Sequence, residues 1–241
     1  MNKKPALQPL LAICIGMVLL SCNNSTEATK EEPKKTADST AAAAAPVADA
    51  FQPFDVMEIS HTVKDYSKWR PAFDADAVNR KANGMEDIVV GRGIDNPNNV
   101  LIAVKAADLE KAKSFSADPK LKETMQKAGV VSKPGFQLFH LIRFNPDAKE
   151  KQWVIITHRV KDFDAWLKAF DEEGKTQRAS EGMVDAALGR GVDDPNIVHI
   201  VLDITDMSKA KAALVSDAKK KLMMSAGVEG KPVIEFYQTA E

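Results

Sequence analysis

The chain contains the same unit twice. The stretch His61 to Asp74 returns as His158 to Asp171, with His, Val, Lys, Asp, Trp, Ala, Phe and Asp in matching places at an offset of 97. Gly91-Arg92-Gly93, followed by Asp95, Pro97 and Asn98, returns as Gly189-Arg190-Gly191 with Asp193, Pro195 and Asn196, now at an offset of 98. Ala128-Gly129-Val130 and Lys133-Pro134 return as Ala226-Gly227-Val228 and Lys231-Pro232. Aligned this way, residues 56–138 share 32 identities with their counterparts. A duplication of that length obliges both halves to adopt one fold. It sets two units, 53–145 and 151–241, with Asn145 to Lys151 as the joint.

Each unit reads as strand, helix, strand, strand, helix, strand. From Val56 to Val63, Met57, Ile59 and Val63 share one face and Glu58, Ser60 and Thr62 the other, the period of a strand. Asp65 is placed to cap a helix, in which Tyr66, Trp69, Phe73 and Ala77 recur at spacings of three and four. Gly84 ends it in the left-handed conformation. Pro71 falls inside this helix unless the start slides to Ser67, and the second unit has Lys168 there. Ile88 to Gly93 and Val100 to Lys105 form a hairpin around Asp95-Asn-Pro-Asn. Asp108 caps a second helix that Gly129 closes, and Phe136 to Ile142 is the last strand. Its counterparts are a helix over Asp206 to Ala226 and a strand over Val233 to Tyr237. This order is the split βαβ, or ferredoxin-like, arrangement. The fold class is therefore α+β. Two helices cover one face of each four-stranded sheet and leave the other open, so the second copy is expected to cover it and make the chain a monomer with an internal pseudo-dimer.

Residues 1–21 and 22–52 belong to neither unit. Lys3 and Lys4 precede an apolar run from Leu7 to Leu20, too short for a spanning helix and suited to a secretory signal. Leu19-Leu20-Ser21-Cys22 resembles the lipobox of bacterial lipoproteins. The resemblance implies cleavage before Cys22, diacylglycerol on its thiol, and a cell-envelope protein held to the outer membrane by its lipid. Residues 22–52 have no apolar periodicity and few branched aliphatics, the composition of a disordered tether.

Composition excludes several classes. With 33 basic and 34 acidic residues the net charge is −1, which argues against nucleic acid as a partner. Two cysteines and four histidines build neither a disulfide scaffold nor a cysteine-rich zinc centre. No metal and no cofactor is expected from the spacing.

The pattern His-x-Val-x-Asp-aromatic-x-x-Trp, then Gly-Arg and Asp-x-Pro-Asn, then Lys-Ala-Lys and Met-x-x-Ala-Gly-Val, resembles the dimeric α+β barrel superfamily, in its antibiotic-biosynthesis-monooxygenase-like branch. The resemblance covers nearly all of 54–241. It implies two ferredoxin-like units pairing as one barrel, here within one chain. Members range from cofactorless monooxygenases and haem enzymes to pure ligand binders, so the fold does not fix the function. The primary expectation is a barrel that binds a small molecule or partner without catalysis. The alternative is a cofactorless monooxygenase-like enzyme acting on a small aromatic or quinone-like substrate.

His61 and His158 recur at equal positions. They read either as a base or haem ligand in the barrel, or as core histidines bonded to a backbone carbonyl, and strand parity favours the core because their neighbours face the helices. Glu58, Ser60, Thr157 and Arg159 then point into the barrel. Trp69 and Trp166 lie on the buried helix stripe and read as core. Arg92 and Arg190 are candidates for an anion contact, or for pairing with Asp95 and Asp193. Arg80 and Arg178 sit where a cation suits the end of a helix. The repeats diverge at informative places: Leu101 becomes His199, Gln137 becomes Glu235, Phe139 becomes Tyr237 and Glu58 becomes Ile155. A duplicated barrel can keep one working pocket, so His199, Glu235, Tyr237 and Arg159 are the first candidates to line it. The Cys22→Ser variant is expected to lose incorporation of labelled palmitate and to leave the membrane fraction, while the native chain retains both.

Overall fold

The computed structural model describes residues 51–240; the signal segment, Cys22 and most of the tether lie outside the described residues. Unit one runs β1 Phe54–Thr62, α1 Tyr66–Ala75, α2 Ala77–Ala82, β2 Met85–Gly93, β3 Asn99–Ala106, α3 Leu109–Ser116, α4 Pro119–Lys127 and β4 Gly135–Phe144. Unit two runs β5 Gln152–Val160, α5 Phe163–Ser180, β6 Met183–Gly191, β7 Ile197–Ile204, α6 Met207–Val215, α7 Asp217–Ser225 and β8 Val228–Thr239. Each unit is a ferredoxin-like sheet, β4-β1-β3-β2 and β8-β5-β7-β6.

The two sheets join at both edges. Gly91 to Gly93 of β2 pair with Thr239 to Tyr237 of β8, and Phe139 to Phe144 of β4 pair with Gly191 to Ala187 of β6. The result is one closed, wholly antiparallel eight-stranded barrel with no free edge. β1 and β5 are four antiparallel steps apart and so run the same way. The pseudo-twofold therefore lies along the barrel axis, and corresponding residues of the two units sit at the same height.

Helix starts follow the aspartates. Asp65 accepts from Ser67 N at 2.9 Å, Asp108 from Glu110 N at 3.0 Å, Asp162 from Ala165 N at 2.7 Å and Asp206 from Lys209 N at 3.0 Å. The helices are shorter than the periodicity suggests. The one between Asp108 and Gly129 breaks where Asp118 caps a new start with Pro119 behind it, and its counterpart breaks where Ser216 does the same. Pro71 is held inside α1, which starts at Tyr66. The break at Asp76 is not its doing, because α5, with Lys168, is interrupted at the corresponding place by Gly174 (φ 79°, ψ 156°). That is also where the offset between repeats changes from 97 to 98. Gly174 absorbs the extra residue in a conformation open almost only to glycine.

The helix side of each sheet holds its own core. Met57, Ile59 and Val104 pack under Tyr66 and Trp69 in unit one, and Val154, Ile156 and Leu202 under Phe163 and Trp166 in unit two. A buried arginine locks the helix to the sheet in both. Arg80 grips Asp87 through two bonds of 2.8 and 2.7 Å, donates to the Phe73 carbonyl and lies 3.6 Å over the Phe73 ring. Arg178 does the same with Asp185, Phe170 carbonyl and the Phe170 ring. Both lie in the last turn of their helix, where a cation suits the dipole, and there they also grip the sheet. In unit two the cluster grows: Lys219 donates to Glu173 and to Glu181 at 2.6 Å. An Asp185→Ala variant leaves Arg178, 3% exposed, charged and without its fork partner. It is expected to lose about 3 kcal/mol of stability in urea unfolding.

Candidate functional site

The inward faces of β1 and β7 carry Glu58 and His199. One comes from each unit, and they meet inside the barrel with His199 Nε2 3.2 Å from Glu58 Oε1. Both are buried, at 7% and 2% exposure. Phe139 of β4 stacks on the imidazole at 4.1 Å, almost parallel to it. His199 Nδ1 has no partner. Nδ1 is sealed as well as unpartnered, so Glu58 is the polar neighbour of the imidazole.

The pseudo-twofold makes a second crossing at the same height. Ile155 stands there for Glu58, Leu101 for His199 and Tyr237 for Phe139. These three pack together with Trp153 as an apolar cluster. Burial first, then the charges of Glu235 and Glu58, push the Tyr237 hydroxyl well above the usual phenol range. Trp153 reaches across to β2. A Cβ on Gly91 would stand 2.5 Å from its ring, so this close approach requires glycine.

Beside Glu58 and His199 is a cavity of about 450 Å³. Val56, Leu101, Ala103, Ile155 and Val201 form its apolar wall, with Trp153 and Phe144 as aromatic rings. The inter-repeat joint, Asn145 to Glu150, covers its end. Asp203 of β7 also lines it, accepts from Glu150 N at 3.1 Å, and is held above the usual carboxylate range chiefly by burial.

The residues singled out in the sequence fall in different places. His199 and Glu58 come together. Tyr237 is buried beside the apolar crossing, and Glu235 is exposed, with its charge acting on the Tyr237 hydroxyl. Arg159 shares the inward parity but sits at the rim, about half exposed, paired with Asp194 and with Glu229 at 3.4 Å. It is too far along β5 to line the cavity. Arg92 and Arg190 lie outside the barrel. Arg92 stacks 4.1 Å over Tyr66 and donates to the Pro97 carbonyl at 2.7 Å, and Arg190 stacks 4.9 Å over Phe163. Neither makes the expected pair with Asp95 or Asp193; Asp193 takes Lys113 instead, at 3.3 Å. Trp153, Phe144 and Asp203 carried no signal beyond divergence between repeats, where they replace Val56, replace nothing matched, and replace Lys105.

His61 and His158 face the helices, as parity requires, but neither bonds a carbonyl. Each imidazole is edge-on to a tryptophan, at 5.4 Å from Trp69 and 5.5 Å from Trp166, with both ring nitrogens unpartnered. Burial pulls each down from 6.5 to about 4. Each lines a helix-side cavity of about 60 Å³, room for a few waters and not for a porphyrin. Haem ligation therefore does not fit these histidines. Among the described residues no group of three or more His, Cys, Asp or Glu is placed to hold a metal.

No family model matches the chain, and no curated protein does. Solved structures do match. A monooxygenase candidate from Lactobacillus acidophilus NCFM is similar at 17% identity and a TM-score of 0.50, over 76% of this chain and 93% of its own. An anthrone oxidase-like protein is similar at 16%, with a TM-score of 0.49, over 78% and 92%. An uncharacterised ferredoxin-fold protein from Listeria monocytogenes, related to antibiotic biosynthesis monooxygenases, is similar at 10%, with a TM-score of 0.45, over 79% and 97%. At such identity the likeness is one of fold.

The two helix-side histidines make stability depend on pH. The unfolded chain binds protons at about 6.5 and the folded chain only at about 4. Stability is therefore full above pH 6.5, falls as pH drops from 6.5 to 4, and loses about 3 kcal/mol per histidine across that window. Urea unfolding of His61→Leu and His158→Leu across this range should show a shallower slope for each.

Proposed function

We propose that the chain is a lipoprotein of the cell envelope, tethered through Cys22, whose barrel binds one small molecule in the cavity beside Glu58 and His199. One observation carries the reading. Of two pseudo-equivalent crossings, one has Glu58 and His199 and the other Ile155 and Leu101. Exchanging a buried polar pair for apolar side chains of similar volume is commonly neutral or stabilising. The barrel closes around the apolar version, so folding does not require the polar one. A buried polar pair at the wall of a largely apolar cavity is what a hydrogen-bonding small molecule would address.

The same pair supports a second reading, cofactor-free oxygenation of a small aromatic or quinone-like molecule. A buried imidazole with a carboxylate beside it is the pairing that general-base chemistry uses. Oxygen uptake with a quinol, abolished by His199→Leu, would mark that activity.

The double variant Glu58→Ile/His199→Leu copies the apolar crossing into the polar one. It is expected to melt at or above the native temperature. Native mass spectrometry should find a discrete added mass on the native chain and none on the variant. Equal added mass on both, or none on either, would remove the binding reading.

A further inference from the structure

Another cavity, of about 750 Å³, lies outside the barrel on the flank of unit one, between α4 and residues 130–134. Leu121, Met125, Val130 and Phe136 line it, each only half-buried, together with Val131, which is 63% exposed. The segment stands off the sheet because Ser132 Oγ, and not a backbone carbonyl, accepts from Thr62 N at 2.8 Å, and β4 begins only at Gly135. Leu121, Met125 and Phe136 also line the helix-side cavity beside His61, so these three side chains divide the groove from an inner apolar space. The same place in unit two is built differently. Val228–Thr239 is one strand. Glu229 stands there for Val131 and pairs with Arg159 at 3.4 Å, and Lys219 stands for Leu121, ion-paired with Glu173 and Glu181. One unit closes this flank with charged pairs; the other leaves apolar side chains facing solvent around the same fold. Contiguous apolar surface rimmed by polar groups, in a concavity of this volume, is the form of a ligand groove.

The charged groups of the groove are Lys122, Lys133 and Asp118. Asp118 is occupied as the cap of α4, accepting from Lys120 N at 2.8 Å. Both lysines are exposed, and neither has a carboxylate within ion-pair distance among the described residues. A cationic head group would meet two like charges here, and a neutral one would leave both lysines without a counter-charge. An anionic head finds both, while an unbranched apolar chain suits the lining. We propose that this groove binds a single-chain amphiphile with an anionic head, a fatty carboxylate in class, its chain against Leu121, Met125 and Phe136 and its head at Lys122 and Lys133. The site is separate from the barrel cavity and does not rest on the reading of that cavity.

Decanoate and decyltrimethylammonium, matched in chain and opposite in charge, test it by isothermal titration near neutral pH. The protein is the chain carrying Cys22→Ser, so that no acyl group or detergent competes for the groove. Decanoate is expected to bind at one site, about tenfold or more tighter than the cation, the scale of two exposed charge contacts. Val131→Glu copies the unit-two residue into the groove at an exposed position. It should weaken decanoate binding about tenfold with an unaltered Tm. Lys122→Ala/Lys133→Ala should weaken it by a similar factor and leave the cation no weaker. The barrel variant Glu58→Ile/His199→Leu should bind decanoate as the native chain does. Equal affinity for the two probes, or no heat from decanoate, overturns the proposal. Decanoate binding that survives both groove variants, or that the barrel variant removes, overturns it too, because the amphiphile then occupies a different cavity.

Discussion

Everything in the folded part depends on two short edge pairings, β2 with β8 and β4 with β6. A ferredoxin-like sheet has helices on one side only, and its bare face cannot be left to water. Here the faces are not simply laid against each other. The sheets curl until their edges hydrogen-bond, and both bare faces become the inside of one barrel. Closure brings β1 of one unit opposite β7 of the other, so Glu58 and His199 are neighbours although 141 positions separate them. Neither unit holds the polar pair by itself.

Joining the two halves in one chain changes what the barrel can carry. A dimer of identical units must repeat every inward residue, and a buried acid would appear at both crossings. The covalent pair is released from that rule. One crossing holds Glu58, His199 and Phe139, and the other Ile155, Leu101 and Tyr237. The helix sides diverge as well. Lys219, Glu173 and Glu181 form an ion cluster in unit two where unit one has Leu121, Asp76 and Asn83.

Much of this was legible in the sequence, and the parts that were not share a cause. Strand order, capping aspartates and the inward parity of Glu58 follow from period and residue type, which are local. The helix breaks at Asp118 and Ser216 were hidden because the apolar stripe runs across them. Divergence between repeats picked out His199, Glu58 and Tyr237, yet could not say that the first two touch, since that contact exists only once the edges close. Arg159 had the right parity and the wrong height: parity fixes a face, not a position along the axis. Arg92 and Arg190 found aromatic rings and a turn carbonyl in place of a carboxylate, a choice among near neighbours that spacing does not rank. The buried forks of Arg80 and Arg178 to Asp87 and Asp185 were visible only as a repeated pair seven residues apart.

The direction of the strands has a topological consequence. β1 and β5 begin, and β4 and β8 end, at one end of the barrel. Phe54 and Phe144 meet there edge to face at 5.6 Å, and Thr239 N donates to the Lys151 carbonyl at 2.8 Å. The joint from Asn145 to Lys151 thus runs from beside the start of β1 to beside the end of β8. A bridge of the same few residues could link β8 back to β1, and the joint could be opened instead. The barrel is circular in its connectivity: the order of the two units along the chain is a property of where the circle is cut. The tether could be carried by either unit without moving a strand.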